Sequence, residues 1–265
     1  MRHIDGQDFK DKNGYEINGT WFPRVTRILE IKSKPALEHF FKEMGSFESA
    51  EAVKTKSAQE GSLVHEIIGR IAIGETPEVP ETIRPRAEAF ERFQESRKII
   101  FHPEFIERQV WSGAHRYAGT IDALVSFDGK FGVLDIKTSA GFYPEYNLQT
   151  AAYMQALGEY EVARMLQLPR PVQTRWILRV DQQKICTVCG ARLREKGGRS
   201  KVRSVRSNGS PQCGESEHRW GEPQGEVELR EFPYFYKDVK AFLAAKTLWE
   251  WENDYWLRQI GYLAK

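Results

Sequence analysis

Tyr117-Ala-Gly-Thr-Ile-Asp-Ala-Leu-Val-Ser-Phe127, Asp128-Gly129 and Lys130-Phe-Gly-Val-Leu-Asp-Ile-Lys137 form one β-rich run interrupted by a turn dipeptide. Asp-Gly between two apolar runs is the strongest short-range hairpin signal. With those two residues as the loop, Phe127 faces Lys130, and counting outward sets Asp122 opposite Asp135. Opposed residues share a sheet face, with Cβ atoms roughly 4.5–5.5 Å apart. Lys137 is two residues beyond Asp135 and falls on the same face. The expectation is a patch of sheet carrying two carboxylates and one ammonium.

Like charges directly opposed destabilise a sheet, and a bare carboxylate pair has one pKa strongly raised. A divalent cation removes the conflict. Mg²⁺ suits such hard oxygens, taking one or two carboxylates and completing its octahedron with water and phosphate. Mn²⁺ would serve equally, and the Ile136 carbonyl offers one further oxygen. Lys137 would orient or deprotonate a water, or neutralise charge on a phosphate. The competing reading is an ordinary surface hairpin with a Lys–Asp pair; Asp122 opposite Asp135 tips the balance toward metal.

Two helices flank this hairpin in sequence. Ser57-Ala-Gln-Glu60 has the form of a capping box, and Val64, Ile67, Ile68 and Ile71 follow at helical spacing. Gly61 and His65 lie one turn apart at the edge of that stripe. Downstream, Gln149 and Tyr153 are spaced i, i+4 and share a face of a helix over Glu145 to Tyr160. Between, Glu104 to Trp111 alternates as a strand, with Glu107 equally readable as a further ligand or as a solvated strand residue.

Gly61-x-x-x-His65, Gly119-Thr-Ile-Asp122, Asp135-Ile-Lys137 and Gln149-x-x-x-Tyr153 together resemble the motifs of the RecB-type branch of the PD-(D/E)XK nuclease superfamily, in that branch's order. The resemblance runs from about Thr20 to the C-terminal helix, apart from a cysteine-bearing insert. It implies a restriction-endonuclease-like α/β fold, a mixed central sheet flanked by helices. It also implies Mg-dependent hydrolysis of DNA, end-directed rather than internal. His65, Asp122, Asp135 and Ile136 would hold the metal, with Lys137, Gln149 and Tyr153 completing the catalytic set. A structure-specific endonuclease and a non-catalytic DNA-binding protein on the same scaffold stay open as alternatives.

The chain has 265 residues and a formal net charge of +2, so any nucleic-acid surface must be local. Aromatic residues make up 12%, enough to argue against disorder. Nothing approaches the ~20 apolar residues of a membrane span, and the N-terminus has no signal-peptide core. Three Cys cannot all pair within one chain. A soluble cytoplasmic protein is expected.

All three cysteines lie between the strand Val172–Val180 and its expected partner Gly225–Phe232. Cys186, Cys189, Cys213 and His218 make a tetrahedral Cys₃His set suited to structural zinc, with Glu215 or Glu217 as substitutes for the imidazole. So polar a segment buries too little to fold without an ion. Between the cysteine pairs run Arg192, Arg194, Lys196, Arg199, Lys201, Arg203 and Arg206, a basic flap expected to meet DNA phosphates, or to stay a solvated loop until it does. The expected organisation is a nuclease domain over 1–180 and 225–265, interrupted by a zinc-binding basic insertion over 181–224.

Overall fold

The computed structural model describes residues 5–32, 35–204, 213–214 and 217–264. Arg206 and Glu215 lie outside them. The chain starts with α1 (Gly6–Asn13), capped by the Asp5 side chain accepting from the Asp8 amide. Phe9 of α1 is fully buried and stacks on Trp256. One buried aromatic contributes about 2–3 kcal/mol, enough to dock a segment too polar to show an apolar stripe. A hairpin follows, β1 (Gly14–Ile17) and β2 (Thr20–Pro23), then α2 (Val25–Ile28), a 3₁₀ turn over Leu29–Ile31, and α3 (Pro35–Glu43).

The long helix α4 (Phe47–Ala72) begins well before Ser57: Ser46 Oγ accepts from the Ser49 amide and caps it. The Ser57–Glu60 signature is therefore interior to the helix, and Glu60 is used for a different contact. The remaining elements are α5 (Arg84–Arg97), β3 (Ile100–Phe101), β4 (Arg108–Ser112), β5 (Tyr117–Ile121), β6 (Ala123–Phe127), β7 (Lys130–Lys137), α6 (Pro144–Leu157), α7 (Tyr160–Met165), β8 (Thr174–Ile185), β9 (Arg192–Lys196), β10 (Arg199–Arg203), β11 (Gln224–Glu231), α8 (Tyr236–Glu252) and α9 (Asp254–Gln259).

The architecture is mixed α/β. The main sheet runs β10-β9-β8-β7-β6-β3, with β11 also paired to β8. The β6–β7 hairpin has the expected register, Phe127 facing Lys130, and both loop residues have positive φ, Asp128 at 51° and Gly129 at 75°. That is the turn whose twist matches paired strands. β7 and β8 are parallel, and α6 makes the crossover between them. β7 is buried on both faces. Phe131 and Val133 pack with Tyr153, Phe242 and Trp249 on one side; Leu134 and Ile136 pack with Val64, Ile68, Phe90 and Trp176 on the other. Asp135 and Lys137 continue the first of these faces beyond its apolar part.

The insertion is built into the sheet. β8 runs on to Ile185, and β9 pairs with Lys184 and Ile185 past the point where β7 ends. Among the described residues no helix is long and apolar enough to cross a membrane.

Candidate metal centres

The Tyr117–Phe127 run is broken at Asp122, a bend between β5 and β6. β6 pairs with β7 only as far as Ala123 and Leu134. Beyond that, β5 peels away to pair with β4, and the Asp122 carbonyl accepts from the Glu107 amide. The Asp122 carboxylate occupies the gap in the ladder, its Oδ2 accepting from Ile136 N at 2.6 Å. Asp122 therefore stands near Asp135 but is not its ladder partner. The Ile136 group engaged at the site is this amide, where the sequence suggested the carbonyl.

The bend brings three ligand-bearing side chains together. Atoms of His65, Glu107 and Asp122 all lie within 4.8 Å of one another. His65 Nδ1 is 3.5 Å from Asp122 Oδ2. Glu107 sits in a turn with φ of 48°, just before β4. The strand expected over Glu104–Trp111 starts late because Pro103–Phe105 is a 3₁₀ turn. Asp135 is outside this triad: its Oδ2 is 2.7 Å from Lys137 Nζ.

The electrostatics reflect the crowding. Burial pushes the Asp135 carboxyl up to about 6, more than Lys137 brings it down, and Asp122 adds to the rise. Burial also acts to raise Asp122, but His65, Lys137 and the Ile136 amide outweigh it and hold that carboxyl low. Glu107 is raised by burial and by Asp122. Burial opposes charge on His65 and on Lys137, yet the neighbouring carboxylates prevail and raise both.

Asp135 is 1% exposed; its Oδ2 meets the Lys137 ammonium, while its Oδ1 has no hydrogen-bond partner. Leaving a buried carboxylate oxygen unpaired costs about 1–3 kcal/mol. A half-satisfied carboxylate beside a His–Glu–Asp triad is a donor set that fits a hard divalent ion.

The Gln149–Tyr153 pair supports the site from α6. Gln149 Nε2 donates to the Tyr153 hydroxyl at 3.0 Å. Tyr153 is 2% exposed and lies against Gly119, where a Cβ would stand 2.4 Å from the ring. Gly119 is thus needed for the aromatic ring that closes the underside. Gly61 serves a related end: a Cβ there would stand 3.1 Å from Thr138 Oγ1, a side chain at the end of β7. Tyr146, one turn before Gln149, has Lys137 Nζ 5.1 Å from its ring centroid. Tyr146 carries no motif signal of its own, though its i−3 spacing from Gln149 puts it on the same helical face.

The second centre lies in the insertion. Cys186, Cys189, Cys213 and His218 offer ligand atoms all within 4.8 Å of one another. Cys189 Sγ is 3.4 Å from His218 Nδ1, and the His218 ring stacks on Trp220. Glu217 is held elsewhere, accepting from the Gly214 amide at 2.8 Å, so the imidazole and not this carboxylate joins the thiols. Burial raises Cys186, but backbone amides and His218 more than offset it and take that thiol down to about 5. Burial and the two other thiols drive Cys213 up to about 11. Three crowded sulfurs with one imidazole fit a soft or borderline cation such as zinc.

The basic residues are not the solvated flap that charge counting suggested. Arg194 Nε donates to Asp181 at 2.6 Å, and its Nη2 donates to the Thr138 carbonyl at 3.0 Å. Lys196 Nζ donates to the Thr138 carbonyl and to its hydroxyl, at 2.5 and 2.6 Å. Arg199 and Lys201 face Glu43, and Arg192 faces Glu226. The Gly197 amide donates to Glu60, which also accepts from the buried Arg86. Acids scattered far along the sequence take up much of this charge, which no local reading of 192–206 reveals. Arg203 remains exposed at the end of β10.

No family model matches the chain, and no curated protein matches it.

Proposed function

We propose that this chain is a metal-dependent deoxyribonuclease, a DNA exonuclease acting on ends in repair, recombination or phage DNA processing, with Mg²⁺ or Mn²⁺ at the carboxylate site and structural zinc in the insertion. The supporting observation is the buried carboxylate of Asp135, its Oδ1 without a hydrogen-bond partner, set beside the Lys137 ammonium and the His65–Glu107–Asp122 triad. Strong pKa perturbation by burial plus specific charge partners favours a functional site over a structural ion pair. The end-directed preference rests on the motif resemblance alone.

His65, Glu107, Asp122 and Asp135 would hold the ion. When bound, it polarises the phosphodiester and lowers the pKa of a coordinated water. Lys137 supplies a fixed positive charge beside Asp135, where charge builds on a phosphoryl group during in-line displacement. Asp122 fixes the end of β7 through the Ile136 amide, and so fixes the direction in which Asp135 and Lys137 project. Gln149 orients the Tyr153 phenol, which walls off the buried side of the site from water.

End-labelled linear duplex, single strands and closed circular DNA, each with Mg²⁺ or Mn²⁺, test the reading. Linear DNA should be degraded and the closed circle spared, while Asp135→Ala and Lys137→Ala lose at least ~10²-fold in cleavage and keep DNA binding. A cut circle would establish the endonuclease alternative. Binding without cleavage by the parent chain would establish the non-catalytic one.

A further inference from the structure

A cavity of about 730 Å³ opens beside the carboxylate site, between α4, the start of α6 and β9 of the insertion. It begins at Thr138 and Ser139, immediately after Lys137. Its walls divide by chemistry. Phe40, Tyr143 and Tyr146 present aromatic surface; Lys54, which meets Glu51 at 3.1 Å, Arg194, which meets Asp181 at 2.6 Å, and Lys196 bring positive charge. The acidic residue on its wall, Glu145, is paired with Lys32, 3.9 Å away. Lys196 has no acid within ion-pairing distance among the described residues; its amine is held by Thr138 alone. Tyr143 and Tyr146 meet edge to face, with ring centroids 5.6 Å apart. Because Lys137 also stands over Tyr146, the aromatic wall continues directly into the site.

Aromatic faces interleaved with cations are the recognition chemistry of unpaired nucleic-acid strands: bases stack on the rings while basic side chains follow the phosphates. The volume falls in the range of ~300–1,000 Å³ that encloses one small ligand, a nucleotide or two, and is far too small for a duplex. The geometry points to this cavity as a subsite for the unpaired end of a single strand, with base stacking at Tyr143 and phosphate contact at Lys54 and Lys196. The inference rests on the nuclease reading only in taking nucleic acid as the ligand. It gives the insertion a direct part in substrate contact: β9, paired with β8 and tied to Thr138 through Arg194 and Lys196, supplies one wall. It also makes the substrate a strand already separated from its complement.

The probe is fluorescein-labelled oligothymidylate with phosphorothioate linkages, which resist hydrolysis, compared with a blunt duplex of the same length by anisotropy. The parent chain should bind the oligothymidylate more tightly than the duplex. Tyr143→Ala should weaken single-strand binding at least about fivefold, and Tyr143→Phe, which keeps the ring, should restore it. Tyr143 precedes α6 without a side-chain cap bond, so its truncation leaves the helix start intact. Lys54→Ala, on the exposed side of α4, should weaken binding at every sequence and reduce the log–log salt slope by about one. Parent-like single-strand affinity in both Tyr143→Ala and Lys54→Ala overturns the subsite, as does a parent that prefers the duplex. If those same variants still degrade linear DNA, the nuclease reading survives that failure. If the parent binds strands through Tyr143 and cleaves nothing, the nuclease reading fails and the subsite stands.

Discussion

The two centres assemble ligands in opposite ways. At the first, His65 comes from the long helix α4, Asp122 from a bend between strands and Asp135 from a strand buried on both faces. Packing fixes those backbones with no help from an ion, and the site carries a carboxylate oxygen without a hydrogen-bond partner as a consequence. At the second, Cys189, Cys213 and His218 lie on connecting segments, and only Cys186 adjoins a regular strand. There the ligands sit on segments with little regular structure, and an ion would supply organisation that packing supplies at the first. A preformed site can be emptied and refilled; a site held by its ion collapses without it.

The comparison breaks most visibly on zinc removal. Structural zinc binds finger peptides with about 10–16 kcal/mol, so chelation or Cys189→Ser should strip protection from the amides of β9 and β10. Hydrogen exchange on the parent and stripped forms would read this, with β6 and β7 unchanged. Equal loss across β7 would show that the sheet also depends on the thiol cluster. Next in size is Lys137→Ala, which should cost ~10²–10³-fold in turnover while leaving zinc content per chain unchanged by elemental analysis. Gly119→Ala should destabilise the fold by about 1–3 kcal/mol, since the added methyl drives into the Tyr153 ring. Denaturant unfolding measures it, and an unperturbed midpoint would mean that Tyr153 is free to move.

The smallest effect is titrational. Asp135 rises from the usual 3.8 to about 6 in the metal-free chain, through burial above all. Between those values the folded state holds a proton that the unfolded state releases, so this group's contribution to stability falls as pH rises through that window. A cation bound by Asp135 must displace the same proton below pH ~6. Mn²⁺ affinity measured by calorimetry should therefore fall with acidity, and Asp135→Asn should make that fall shallower by up to about tenfold per pH unit. An unchanged slope would leave the ion on His65, Glu107 and Asp122 alone.

Much of this was legible in residue types at short range. Asp128-Gly129 set the register of the hairpin, and the order of glycine, histidine, carboxylates and lysine put the first site's residues in one place. Cysteine spacing was enough for the second. The misses share a cause. Asp122 leaves its ladder because β5 is claimed by β4, a competition invisible in the Asp122 segment itself. Glu60 lost its presumed capping role to Arg86 and Gly197, and the insertion's arginines and lysines found acids at Glu43, Asp181 and Glu226. Charges whose partners are distant in sequence read as solvated.

The long strand β8 carries one more consequence. Gln183 and Gln224 face each other at the last rung it shares with β11, so the insertion departs and returns at adjacent points. A segment rooted so can be excised and the ends joined by a tight Asn-Gly turn without altering the rungs beneath. The cysteine-bearing piece thus has the anatomy of a graft, and a trimmed chain of that kind would be the smallest scaffold on which to ask what the addition is for.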